Sequence, residues 1–175
     1  MVGGGHAGVE AALAAARMGA STLLVTPSLA DVAKMPCNPS IGGLAKSHLV
    51  HELDALGGEM GRNADATALQ AKILNRSRGP AVRATRTQCA KAEYSERMRS
   101  VVERQANLEV LEDLATGIIA VEAPEENAEA GVNGGKSYVC KGITAQKSGN
   151  IYAKCVIITA GTSLRGRVWT GKESS

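Results

Sequence analysis

Near its front the chain carries Gly3, Gly5 and Gly8 in a Gly-x-Gly-x-x-Gly spacing, filled in by Gly4, His6 and Ala7. The first glycine of such a run makes a tight strand-to-helix turn. The second lets backbone approach a pyrophosphate, and the third lets the helix pack close to the strand. The helix start adds unpaired N–H groups and the positive end of a dipole. Here the required context is present. An alanine-rich run over residues 9–18 predicts a helix, Gly19 predicts its stop, and residues 21–26 (Ser-Thr-Leu-Leu-Val-Thr) predict the next strand. Gly3, Gly4, Gly5, His6, Ala7 and Gly8 are therefore the candidate pyrophosphate-binding residues. Only Met1 and Val2 represent the strand that leads into the turn, so the first strand is expected to be incomplete.

With 175 residues, 44% of them hydrophobic and 21% charged, the chain suits one domain with a buried core. Phe is absent and aromatics make up only 2%, which predicts an aliphatic core and argues against base-stacking platforms. Cys37, Cys89, Cys140 and Cys155 form no Cys-x-x-Cys pair, and His6, His48 and His51 have no zinc spacing. His48 and His51 are expected on a solvated helix face. No apolar run reaches the length of a membrane span, and no signal peptide precedes the turn. The expectation is a soluble, reducing compartment: the cytoplasm, or the mitochondrion for a eukaryotic source.

The second strand ends at Thr26, where dinucleotide-binding folds usually place an acid on the ribose hydroxyls. The first acid here is Asp31, so the Thr26 hydroxyl is the candidate for a weaker, neutral bond to a ribose. Residues 27–36 read as a turn-rich connection. Around Cys37, the prolines and glycines of residues 35–46 predict a rigid path that is neither helix nor strand. Residues 48–56 predict a helix with Leu49, Val50, Leu53 and Leu56 on one face, stopped by Gly57 and Gly58.

Residues 72–104 hold nine cations against three acids. Residues 75–80 predict a loop and residues 87–105 a long helix. Two readings fit the charge: a solvated face with pairs such as Glu93–Arg97 and Glu96–Arg99, or a surface that contacts phosphates. Residues 108–111, 118–122, 137–145 and 151–159 predict strands, the last three a meander interrupted by a soft polar loop over residues 124–136. The small residues Thr159, Ala160, Gly161 and Thr162 would let backbone approach a ligand. Cys89, Cys140 and Cys155 are expected in the core.

Several motifs in order closely resemble the glucose-inhibited division protein A family, the tRNA uridine 5-carboxymethylaminomethyl modification enzymes. They are Gly3 to Gly8, Cys37-Asn38-Pro39-Ser40-Ile41-Gly42-Gly43, Asp54-Ala55-Leu56-Gly57-Gly58, Ile73-Leu74-Asn75, the run from Gly79 to Arg86, and Ala160-Gly161-Thr162. The resemblance covers nearly the whole chain and is weakest over residues 124–150. It implies an α/β fold, with an FAD-binding Rossmann-like parallel sheet, helices and a three-stranded β-meander, truncated at both ends. Residues 1–175 would then be the N-terminal part of an FAD-binding domain, without the nicotinamide-binding and C-terminal helical regions.

The resemblance also implies a chemistry. FAD is the cofactor, reduced by NADH at a site outside this chain. A GTPase partner and a methylene-folate donor take part, the full-length protein is a homodimer, and the target is C5 of the wobble uridine of tRNA. Gly3 to Gly8 match the pyrophosphate-binding residues, and Ala115 matches a contact near the adenine. Cys37 matches a cysteine implicated in the chemistry. A thiolate there would attack pyrimidine C6 and make C5 nucleophilic. Under the resemblance the arginines of residues 76–86 lie near flavin or tRNA, and the chain by itself is expected to be inactive. Two other readings stay open: another flavin-dependent oxidoreductase such as a folate-dependent tRNA methyltransferase, and a non-catalytic nucleotide-binding remnant.

Overall fold

The computed structural model describes residues 1–36, 38–123, 137–162, 164, 169–170 and 173–174. Cys37 and the loop predicted over residues 124–136 lie outside the described residues. Helix α1 (His6–Arg17) starts directly from the glycine turn and places Val9, Ala12, Leu13 and Ala16 in the core at helical spacing. Gly19, at φ +90°, ends it in a left-handed conformation that suits glycine. Strand β1 (Thr22–Thr26) follows, then a short 3-10 turn (Leu29–Asp31) and β2 (Ser40–Gly42). Next come α2 (Lys46–Ala55), α3 (Met60–Ala66), β3 (Ala68–Leu74), β4 (Ala84–Cys89), α4 (Lys91–Arg104) and β5 (Leu108–Glu112). Strands β6 (Ala115–Glu122), β7 (Tyr138–Ala145) and β8 (Gly149–Tyr152) form the predicted antiparallel meander, in that spatial order. Two short strands, β9 (Trp169–Thr170) and β10 (Glu173–Ser174), pair with each other.

The parallel sheet is built on β1. On one side β1 pairs in parallel with β5, and on the other Val25 bridges Val2. Val2 in turn bridges Ile158 in parallel, with Val2 N donating to Ile157 O at 2.9 Å and Thr159 N to Val2 O at 2.8 Å. The two residues before the turn thus fill the strand position predicted for them. The strand predicted over residues 151–159 is shorter: β8 stops at Tyr152, and residues 157–159 return only as that single bridge. Ile157 and Ile158 are partly exposed, because nothing among the described residues packs on this edge of the sheet.

Three other expectations are corrected. Thr87 to Cys89 belong to β4, not to a helix; Ala84, Thr87 and Cys89 point inward while Arg86 and Gln88 point out. Residues 40–42, expected to be irregular, pair with β4 as β2, giving the antiparallel order β2-β4-β3. Helix α2 forms as predicted, but its leucines do not face a core. Leu49 and Leu56 are exposed and only Ser47 is buried, because the helix lies on the outside of the β2–β4 layer. Among the cysteines, Cys89 is buried, whereas Cys140 is half-buried and Cys155 exposed.

Asp113 ties the parallel sheet to the meander. Its carboxylate is buried and accepts N–H groups of Leu114 at 2.7 Å, Lys147 at 3.0 Å and Ser148 at 2.8 Å. Burial opposes its ionisation, but the Ser148 hydroxyl and those backbone donors outweigh it and hold the pKa at about 2. A carboxyl depressed in the folded state stabilises fully above its ordinary pKa, and that stability is lost as pH falls through the folded value. Between pH 4 and pH 2 the chain should therefore lose stability steeply, and Asp113→Asn should flatten that part of a urea-midpoint profile.

Candidate functional site: the glycine turn and its supports

The turn is held from three sides. Thr159 Oγ1 donates to Val2 O at 2.8 Å and Gly3 O at 3.1 Å, Gly3 N donates to Val25 O at 2.8 Å, and Ala33 N donates to Gly4 O at 2.8 Å. Three of its glycines are needed for close packing. Gly3 adopts φ +106°, and a Cβ on it would lie 2.6 Å from Thr159 O. A Cβ on Gly4 would lie 2.6 Å from Thr26 Oγ1, and one on Gly8 would run into Gly3 O.

Gly5 is different. It is exposed, its backbone is extended at φ −69° and ψ 179°, and a Cβ on it would meet nothing within 4 Å. As N-cap of α1 it supplies no side chain to the helix start, and no acid stands in the first turn. The first N–H groups of α1 therefore open onto free space in front of Gly5, where an anion can be taken. A pyrophosphate fits this cradle, because the one glycine that faces outward is the one whose missing side chain leaves room for it.

His6 follows at once. Burial pushes its pKa below the ordinary histidine value, so the ring adds no charge near neutral pH. It packs on Tyr94 with ring centroids 5.6 Å apart, and neither His6 Nε2 nor the Tyr94 hydroxyl has a hydrogen-bond partner. Thr26 does not present its hydroxyl to a ribose. It is fully buried against Gly4, and its Oγ1 donates to Ser28 O at 3.2 Å. Asp31, the next acid, is ion-paired with Lys34 at 2.7 Å.

Ala115 opens β6, paired with Ala145 and half-buried; the turn itself is gripped by β1, Ala33 and Thr159. Although Cys37 falls outside the described residues, the chain on both sides of it is anchored. Ala33 is tied to Gly4, and Pro39 O accepts Cys89 N at 2.8 Å.

Behind the turn lies a charged network with no counterpart in the sequence reading. Glu10, buried on α1, accepts Glu59 N at 3.0 Å and also Met60 N, and so caps the start of α3. The Glu59 carboxylate binds Arg17 at 2.8 Å and Arg97 at 3.1 Å, while Arg97 also donates to Asn63 Oδ1 at 2.9 Å. Arg97 thus leaves Glu93 for Glu59, and Arg99 pairs with Glu103 rather than Glu96. A lone acid, Glu10, next to Val9 on the apolar stripe of an alanine-rich helix was the one available signal. His48 and His51 are exposed, as expected.

The hairpin formed by β3 and β4 carries Lys72, Arg76, Arg78, Arg83 and Arg86, all exposed and without ion pairs among the described residues. Lys72 and Arg86 are direct cross-strand partners. Like charges placed opposite each other destabilise a hairpin, an arrangement that suits an anionic ligand.

Comparison with known proteins agrees with this geometry. A family model described as "Glucose inhibited division protein A" matches residues 1–175. A tRNA uridine 5-carboxymethylaminomethyl modification enzyme MnmG from Lactobacillus johnsonii is 48% identical over 98% of the chain, and its namesake from Lactococcus lactis is 51% identical over the same share. In both cases the chain spans 25% of the relative's length. The solved structure of Aquifex aeolicus GidA in its form I crystal superposes with a TM-score of 0.84 at 39% identity, over 99% of this chain and 26% of that one. A Gly-x-Gly-x-x-Gly turn on a parallel sheet is common to many proteins, but the match along the full length is specific: the chain belongs to the glucose inhibited division protein A family.

Proposed function

We propose that the chain is the FAD-binding portion of a flavoenzyme that modifies C5 of the wobble uridine of tRNA. The observation that carries this reading is the open, uncapped start of α1 in front of Gly5, in a chain of this family. Backbone N–H groups at the start of α1 bind the pyrophosphate, and Gly5 lets it approach. The neutral His6 leaves the helix terminus as the source of positive potential. Ala115 contacts the cofactor near its adenine through backbone atoms. When bound, FAD supplies the redox chemistry, with NADH as the reductant at a site outside this chain.

The substrate is tRNA, and the relatives' printed names support it. The unpaired cations of the β3–β4 hairpin suit its phosphates, since Arg forks match phosphate geometry. Cys37 is the proposed nucleophile. Its thiolate adds to C6 of the uracil ring, and the electron pair of the C5–C6 double bond makes C5 reactive toward the one-carbon unit of a methylene-folate. A GTPase partner and a homodimeric full-length protein complete the assembly, and the bacterial cytoplasm is the proposed compartment. The test is a full-length protein carrying Cys37→Ser. Flavin should stay bound, while mass spectrometry of wobble uridine should find the modification gone. Unchanged modification would remove Cys37 from the chemistry.

A further inference from the structure

A small polar cleft opens between α2, α3 and the β2–β4 layer, and none of its lining residues comes from the glycine turn, α1 or β1. It encloses about 90 Å3, and its walls carry the Asp54 and Asp65 carboxylates, the His51 ring and the hydroxyls of Ser47, Thr85 and Thr87. No Lys or Arg lines it. Gly61 completes one wall, and a Cβ there would crowd Asp54 Oδ1 at 3.0 Å.

Two observations show that the cleft is unsatisfied as it stands. Ser47 and Thr87 are only 3% and 7% exposed, yet neither side chain makes a hydrogen bond among the described residues. Asp54 and Asp65 take part in no ion pair among the described residues. Buried hydroxyls without partners are costly, and two unpaired carboxylates on one small cleft attract a cation. A metal ion is a poor occupant, because no group of three or more His, Cys, Asp or Glu side chains among the described residues is close enough to ligate one. What remains is a cation that donates hydrogen bonds. An ammonium group has three N–H donors, and the cleft has the volume of roughly three water molecules.

We propose that this cleft binds a primary ammonium group, with Asp54 and Asp65 supplying charge and the Ser47 and Thr87 hydroxyls accepting N–H bonds. Two sources share that chemistry: a small free amine and the tip of a lysine side chain from another chain. Methylammonium chloride probes the first and Nα-acetyl-lysine amide the second, each titrated into the chain by calorimetry at constant ionic strength, with potassium chloride as control.

Saturable binding of either amine, absent with potassium, is the expected result, and the amine that binds identifies the source. Thr87→Val removes a hydroxyl that holds no protein partner, so the fold should be kept while affinity falls about tenfold. Asp65→Asn should lower it at least as much. A response to neither amine, an equal saturable response to potassium, or unchanged affinity in both Thr87→Val and Asp65→Asn overturns the proposal.

Discussion

Gly8→Ala should be the most damaging single methyl that can be added to this chain. The new Cβ would enter the Gly3 carbonyl oxygen and lie 2.5 Å from Thr159 Oγ1. Neither neighbour can yield cheaply. Gly3 is fixed by its bond to Val25 O, and Thr159 Oγ1 is committed to Val2 O and Gly3 O. Relief requires moving α1 away from the sheet, which opens the contact between Val9, Leu13 and Leu24. Overpacking of this kind costs about 3 kcal/mol at the upper end of its usual range. At this chain length that corresponds to a fall in Tm of roughly 6–12 °C. Thermal unfolding followed by circular dichroism checks it; a Tm within a degree or two of wild type would show that helix and sheet are not in the contact described.

Glu10→Ala should come next. The Glu10 carboxylate is the acceptor for the backbone N–H groups of Glu59 and Met60, and it sits at the positive end of α3. Removing it strands these donors in a region closed to water, at about 1–3 kcal/mol for each unsatisfied group. It also loosens Glu59, which fastens α1 to α4 through Arg17 and Arg97. A loss of roughly 2–4 kcal/mol is expected from a urea midpoint. Glu10→Gln keeps one acceptor oxygen and should lose distinctly less. Equal losses in the two variants would mean that the carboxylate does not cap α3.

These two variants also mark what the sequence does and does not reveal. The turn, α1 and β1 are legible because one local pattern demands all three: glycine at fixed spacings, alanine-rich periodicity, then a β-branched run. The meander is legible for the same local reason. The β2-β4-β3 sheet is not, because β4 opens the same polar stretch that continues into α4, and only pairing with β2 and β3 decides where strand ends and helix begins. Glu10 and Glu59 lie 49 residues apart, and no local pattern links a buried acid to the helix end it caps. The outward turn of Leu49 and Leu56 shows the converse. Helical spacing of apolar residues identifies the helix but not what, if anything, covers its apolar face.

The site was legible to different depths. Spacing alone marked the Gly3–Gly8 turn, but not which glycine packs and which faces a ligand. That distinction comes from Thr26 and Thr159, neighbours far away in sequence. Thr26 itself was misassigned, because its place at the end of β1 suggests a ribose contact while its burial against Gly4 prevents one.

Gly5 gives the most direct test of the proposed cofactor site. Gly5→Ala has open space around its Cβ and an ordinary φ, so the fold and Tm should be unchanged. The methyl group would nevertheless stand where the pyrophosphate must approach the first N–H groups of α1. Titration of FAD into wild type and Gly5→Ala, followed by flavin fluorescence, should therefore give saturable binding in the first and about tenfold weaker binding or worse in the second. Equal FAD affinity in the two proteins, with equal Tm, would contradict the placement of the cofactor at the start of α1.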